Sequence, residues 1–331
     1  MSKIVTEQKG WFNWFKLAID LRSSVIRTIW RRVVATMIFA AVIHWIYSQG
    51  MPVNQPVLTS LIPSIVLGLL LVFRTNTAYE RYWEGRKLWG VMIHNGRILS
   101  RNMYFMIVAK TPEEKRRKLE AIKLIGTLVW AIKVHVRKED VETELDHLLT
   151  PDRLAEIQPL QQRPLRVANW LADYFRQMYE QNKLNYRFFI ELNQSMDRIL
   201  EAMIACDRIA STPLPKAYSI HLKHLLLIYW LSVPFTLVDS LNGFVIPAVG
   251  VITFSLLGIE EIGLEIENPF GHDPNDLPLE RFCYVLQNDI LELVQYDSQL
   301  KEDSGIESQK TDEKSKEVAS FPFFVVFREC R

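Results

Sequence analysis

From Leu225 to Ile259 the chain carries one formal charge, Asp239. A stretch so apolar exceeds the ~17–25 residues of one membrane span. It suffices for two short spans joined around Asp239-Ser-Leu-Asn-Gly243, which has the composition of a turn. A second apolar pair stands nearer the start. Residues 33–49 hold no formal charge unless His44 is protonated, and residues 56–73 return after an uncharged turn at 50–55. Arg27, Arg31 and Arg32 precede the first of these runs, while Trp45 and Tyr47 lie near its far end. Cations before a span and aromatic residues after it set its entry on the cytoplasmic side. Lys216 and Lys223 precede the later block in the same way. Glu260, Glu261, Glu265 and Glu267 follow it, but acids weigh little in the orientation rule. The pattern predicts four spans, with both ends of the chain in the cytoplasm.

Between these pairs the chain has the character of a soluble helical protein. A charged start at Lys110–Lys118 leads into an amphipathic helix over 120–136, then an acidic connection over 137–153. Helices are expected over 151–181 and 187–211, and Thr212-Pro-Leu-Pro215 stops the second. No alternating pattern of strand length appears, so the fold class is all-α. Residues 10–32 mix Trp11, Trp14, Phe15 and Ile19 with Lys16 and Arg22, which suits a helix at a membrane surface or one half-buried on the protein itself. The expected division is an amphipathic segment 1–32, a first membrane hairpin 33–74 and a cytoplasmic helical domain 75–223. A second hairpin 224–259, an acidic turn and helix 260–297, and a polar tail 298–331 complete it. No apolar core of a signal peptide stands near the start, so none is expected.

Several function classes find no support. A net charge of +1 gives no global attraction to nucleic acid. Cys206, Cys283 and Cys330 form neither a metal knuckle nor a disulfide framework, and reduced thiols are expected. His221 and His224 share a helical spacing without a third ligand. There is no HExxH, phosphate loop or nucleophile elbow, so an enzyme is not expected. The two hairpins do not read as inverted repeats with broken helices, which argues against a carrier.

The stretch Ile62–Gly90 organises the rest. Its first half is an apolar helix, and its second half keeps helical spacing but becomes charged and aromatic, with Arg74, Tyr79, Arg81, Tyr82, Trp83, Arg86 and Trp89. One helix leaving the membrane at Phe73-Arg74 explains both halves. Ile65, Leu69 and Phe73 recur every four residues and share a stripe. Ser64 and Gly68 make a second stripe of small residues, which invites close approach by a neighbouring helix. Periodicity alone reads the larger stripe as a packing face.

The motif F-R-T-N-T-A-Y-E-R-Y-W-E-G-R-K-L-W-G (Phe73–Gly90) resembles the bacterial branch of the bestrophin ion channels. So do C-D-R-I-A-S-T-P-L-P-K-A-Y-S-I-H (Cys206–His221) and the stretch Gly258–Leu279, which contains N-P-F-G-H-D-P-N-D. The resemblance spans roughly residues 10–297. It implies a homopentamer around a single pore in the cell (inner) membrane, with the second span lining the pore. Ile65, Leu69 and Phe73 would then form a hydrophobic neck that gates by dewetting. A second cytoplasmic restriction falls at Ile190, with Leu184 and Phe188 as rivals. The resemblance also suggests calcium ligands at Asn268, Asp273 and Asp276. His272, Pro274 and Asn275 replace acids of the animal pattern, and a simple turn is the other reading. No cofactor is required.

Ion choice stays open at this stage. Phe73 presents a ring edge of positive quadrupole and favours chloride. Asp239 and the acids of 260–267 favour sodium if they face the pore. Arg74, Arg81 and Arg86 either line an anion pathway or meet lipid headgroups, and Arg81 can also pair with Glu84. His44 is expected in an interhelical hydrogen bond, and Pro234 and Pro247 as kinks in the last two spans. A non-conducting scaffold is the remaining alternative.

Overall fold

The computed structural model describes residues 25–53 and 61–303, with side chains outside the description at 61–63 and 296–303. Every regular element among the described residues is helical, in line with the expected class. In order they are α1 (Ile26–Ser48), α2 (Leu61–Met106), α3 (Pro112–Arg137), α4 (Val141–Leu145) and α5 (Pro151–Ile157). Then come α6 (Arg163–Glu180), α7 (Tyr186–Ser211), α8 (Lys216–Leu241), α9 (Val245–Glu267) and α10 (Leu279–Asp303). Most of the expected surface helix over 10–32 and most of the tail from 298 lie outside the described residues.

Two compact units share the chain. One takes in the described residues up to Gly85 together with Ser211–Leu277; the other takes Arg86–Ala210 and the residues from Pro278 on. In the first unit α1, α8 and α9 pack around Ala40, Val233, Val245 and Val249, all buried. Leu67 and Leu71 of α2 meet Leu222 and Leu226 of α8. Two helical stretches, Ile26–Ser48 and Lys216–Glu267, are long and apolar enough to cross a membrane by length and composition. The second stretch holds both α8 and α9, joined by a 3-10 turn at Asn242–Phe244.

The close approach expected at Ser64 and Gly68 is made elsewhere in this chain. Nothing lies within 4 Å of where a Cβ of Gly68 would stand. At Gly250 of α9 that position is 2.9 Å from Met37 Sδ, so α1 and α9 meet closely there. Pro234 sits inside α8 as expected. Pro247 is the third residue of α9, where its missing N–H has no partner to lose, so it fits the helix start rather than kinking it.

In the second unit α3 is the central helix, packed on α6 and α10. Thr111 and Glu114 close a capping box around its first turn, with Pro112 just inside. The amphipathic helix expected over 120–136 is buried almost all round, from Ala121 to Val134. The reason is that it has neighbours on more than one side. Its deepest cation, Lys133, survives there because Glu139 and Glu144 each stand 2.6 Å from Nζ. Burial alone would push the Lys133 pKa down, but the hydrogen bonds to those two acids outweigh it and raise it. The single helix expected over 151–181 is two, α5 and α6. Pro159 lies in the break, and Pro164 occupies the first turn of α6.

Candidate functional site

α2 has two sides in its apolar half. Leu67 and Leu71 are 2% exposed, Arg74 1% and Ala78 fully buried. Ile65 and Leu69 are each 52% exposed and Phe73 60%. Within one chain α8 and α9 pack on the first side, and the second side is left exposed. A helix uses one face to pack, and here that face is the Leu67–Leu71–Arg74 side, not the Ile65–Leu69–Phe73 stripe.

Just below Phe73 the sequence places its first charge, and the structure turns it inward. Arg74 NH1 lies 3.7 Å from Glu260 Oε1, and Arg74 NH2 lies 3.5 Å from Glu267 Oε2. Arg32 NH1, on α1, reaches Glu261 Oε2 at 3.4 Å and Glu260 Oε2 at 4.0 Å. Arg74 thus neither lines an open pathway nor meets headgroups. Arg81 is likewise engaged within the protein: its Nε donates to the Glu267 carbonyl at 3.0 Å and its NH1 to the Thr212 carbonyl at 2.6 Å. Arg86, in the second unit, stacks 4.6 Å from the centre of the Phe282 ring. Glu267 also accepts from the backbone N–H of Leu214 at 3.1 Å. The Thr212–Pro215 linker and the end of α9 are therefore held to α2 through Arg74, Arg81 and Glu267.

This ionic cluster was not read from the sequence. Its signal was present: Arg74 is the first charge after one apolar run and Glu260 the first after another. Opposite charges at the same ends of neighbouring spans pair to avoid being buried alone.

Asn268-Pro-Phe-Gly271 closes the far end of α9. Phe270 is 1% exposed, and its ring lies 3.0 Å from where a Cβ of Gly85 would stand, so a side chain there would press on the ring. The Leu277 N–H donates to the Pro269 carbonyl at 3.0 Å. The Asp276 carboxylate accepts from the Asp273 N–H at 2.7 Å, and the Asp276 N–H returns to the Asp273 carbonyl at 3.0 Å. Asp276 thereby clamps a turn before α10, which starts at Leu279. Asn268, Asp273 and Asp276 supply few oxygens against the six to eight that calcium takes. Among the described residues no group of three or more His, Cys, Asp or Glu is arranged for a metal. On their own these side chains give part of a calcium shell, and further carbonyl oxygens or waters would have to complete it.

The remaining residues of interest divide similarly. Leu184 is 3% exposed, whereas Ile190 and Phe188 stay at the surface of the second unit. Asp239 lies in the last turn of α8, not in the turn itself, and Tyr47 donates to it at 2.7 Å. His44 Nδ1 is buried and finds no hydrogen-bond partner, so the expected interhelical bond is not made through that atom. Cys206 and Cys283 are buried and not joined in a disulfide, and burial raises the Cys283 thiol pKa far above its ordinary value. Cys330 lies outside the described residues.

Comparison with known proteins gives one consistent answer. A family model described as Bacterial/Fungal Bestrophin protein matches residues 3–292. A voltage-dependent anion channel-forming protein of Nostoc sp. is 43% identical over 281 residues, covering 85% of this chain and 92% of that relative. One of the same description from Synechocystis sp. is 39% identical over 282 residues, with 85% and 92% covered. The fold is similar to a crystal structure of a bacterial bestrophin homolog from Klebsiella pneumoniae. The TM-score is 0.73 at 24% identity, over 81% of this chain and 98% of that one.

Proposed function

The chain belongs to the bacterial and fungal bestrophin family, and we propose that it is a homopentameric anion channel of the cell (inner) membrane. It crosses four times, through α1, the apolar half of α2, α8 and α9, with both termini in the cytoplasm. The α2 helices line the pore, and Ile65, Leu69 and Phe73 form three hydrophobic rings. Such a neck conducts while it is wet and closes when it dries. Ile190 forms a second, cytoplasmic restriction. The exposure of Ile65, Leu69 and Phe73 opposite the buried Leu67, Leu71 and Arg74 is the observation that carries this reading. In a membrane bundle, the face not covered by the chain's own helices is the one available to neighbouring copies and to the pore.

Chloride is the favoured ion. Three of the acids in 260–267 are engaged by arginine: Glu260 and Glu267 with Arg74, and Glu261 with Arg32. Phe73 offers ring edges to a passing anion. The channel works without a cofactor.

A reversal potential tests this directly. Purified protein, shown to be pentameric by native mass, is fused into a planar bilayer under a KCl gradient. Reversal near the chloride equilibrium potential is expected. Reversal near the potassium potential overturns the anion reading, and the absence of any current favours a scaffold.

A further inference from the structure

The first unit contains a cavity of about 710 Å³ that no part of the conduction reading uses. This is well within the ~300–1,000 Å³ of small-molecule sites. Its lining is mostly apolar, with Ile29 of α1 and Phe254, Gly258, Ile259 and Ile262 along one side of α9. Tyr79 and Tyr82 of α2, Glu265 of α9 and Asn275 also line it. From Phe254 to Ile266 the groove follows α9 for about 18 Å, more than half of a ~30 Å hydrocarbon core.

Glu265 stands apart from the other acids of α9. Glu260, Glu261 and Glu267 each face an arginine. Glu265 accepts a hydrogen bond from the neutral Asn275 Nδ2, at 2.9 Å, and no cation lies within ion-pair distance of it among the described residues. Its charge therefore meets no cation in a groove whose lining is mostly apolar. Two tyrosines and a carboxylate lining one groove suit an ammonium group, through charge and through ring faces. An apolar trough leading away from that point accepts an alkyl chain.

We propose that this groove is a binding site for a bilayer lipid with an ammonium headgroup, its chain lying along α9 and its headgroup between Glu265 and the two tyrosines. The proposal rests on reading α9 as a membrane span. The tyrosines stand past the membrane exit of α2, at the depth where aromatic residues meet headgroups.

Photo-crosslinking tests it. The full chain, purified in dodecyl maltoside, is mixed with phosphatidylethanolamine or phosphatidylglycerol carrying the same diazirine-labelled chain, and the adducts are mapped by mass spectrometry. Adducts on residues 254–266 are expected to favour phosphatidylethanolamine by about fivefold, as one modest cation–π or ionic contact gives. Glu265→Gln keeps an acceptor for Asn275 and is expected to bring that ratio to about one while the adducts persist. Gly258→Leu is expected to remove them with either lipid, since its added Cβ meets only Ile29 at an ordinary 3.9 Å. Ser255→Phe repeats that test should Gly258→Leu not fold. Equal labelling by both lipids overturns the headgroup assignment, as does a preference that survives Glu265→Gln. Labelling that survives groove filling, or a groove occupied by another part of the protein or a second copy so that lipid is excluded, overturns the site. Adducts on α1 and α8 but not on α9 distinguish loss of this site from loss of the membrane reading, which would abolish adducts on all three.

Discussion

Arg74 NH1 and Glu260 Oε1 face each other across 3.7 Å, on side chains that are 1% and 3% exposed. Neither of these two atoms has a hydrogen-bond partner, so charge holds the pair without a short contact. Glu267 at 3.5 Å shares the guanidinium. The cluster sits one residue beyond Phe73, so it fixes the helix that carries the proposed neck against α9. Removing one partner leaves a buried charge alone. Arg74→Met is therefore expected to cost about 3–5 kcal/mol. The double variant Arg74→Met with Glu260→Leu is expected to recover much of that, because two apolar side chains need no compensation. Thermal unfolding in detergent measures both. A double variant no better than the single would mean that Glu267 and Arg32 dominate the cluster.

The two sides of α2 predict opposite phenotypes. Replacing Ile65, Leu69 and Phe73 together with alanine is expected to raise single-channel conductance and leave the melting temperature of the protomer fold nearly unchanged, since all three are at least half exposed in the chain. Leu71→Ala, on the buried side, is expected to cost about 2–5 kcal/mol. Unchanged current in the triple alanine variant would remove these residues from the gate.

Acid is expected to loosen the second unit at a defined point. Hydrogen bonds from the Lys110 N–H, from Lys183 and from the Thr111 N–H hold the Glu114 carboxyl down at about 2, against an ordinary 4.5. A depressed carboxylate stabilises the fold fully above its unfolded value and loses that contribution as pH falls through the folded one. Wild type is thus expected to lose stability relative to Glu114→Gln between about pH 4.5 and 2. Melting curves of the two proteins across that window should converge. A constant gap would place the stabilisation in helix capping rather than in charge.

The helical class was legible because it depends on local composition. So was the spacing of Ile65, Leu69 and Phe73. Which side of α2 packs was not legible, since Leu67 and Leu71 are as apolar as their neighbours and only the positions of α8 and α9 separate the two sides. Arg74 was read as a surface charge because sequence cannot show that Glu260 and Glu267 come beside it. The same holds for Lys133, whose partners Glu139 and Glu144 lie in what reads as a solvated acidic connection. Asp239 and Pro247 were misplaced by a few residues only, because helix ends depend on caps that composition marks loosely.

Gly85 is expected to be crowded by any side chain. An alanine Cβ there would stand 3.0 Å from the Phe270 ring and 3.2 Å from Pro269 Cγ. Gly85→Ala should cost about 1–3 kcal/mol by overpacking. Adding Phe270→Leu should return part of it by removing the ring atoms that the new methyl meets. If Gly85→Ala melts like wild type, the Asn268–Gly271 loop shifts easily and does not anchor α2.

Calcium should leave the current unchanged. Asp276 already spends one carboxylate oxygen on the Asp273 N–H, at 2.7 Å. With Asn268 and Asp273 it supplies only part of the six to eight oxygens of a calcium site. Asp276→Ala is therefore expected to lower the melting temperature by loosening the turn that leads into α10, with the same shift in chelator as in micromolar calcium. Bilayer currents recorded before and after a chelator should be equal in wild type. A calcium-activated current that Asp273→Ala and Asp276→Ala both abolish would show that neighbouring copies complete a site that one chain lacks.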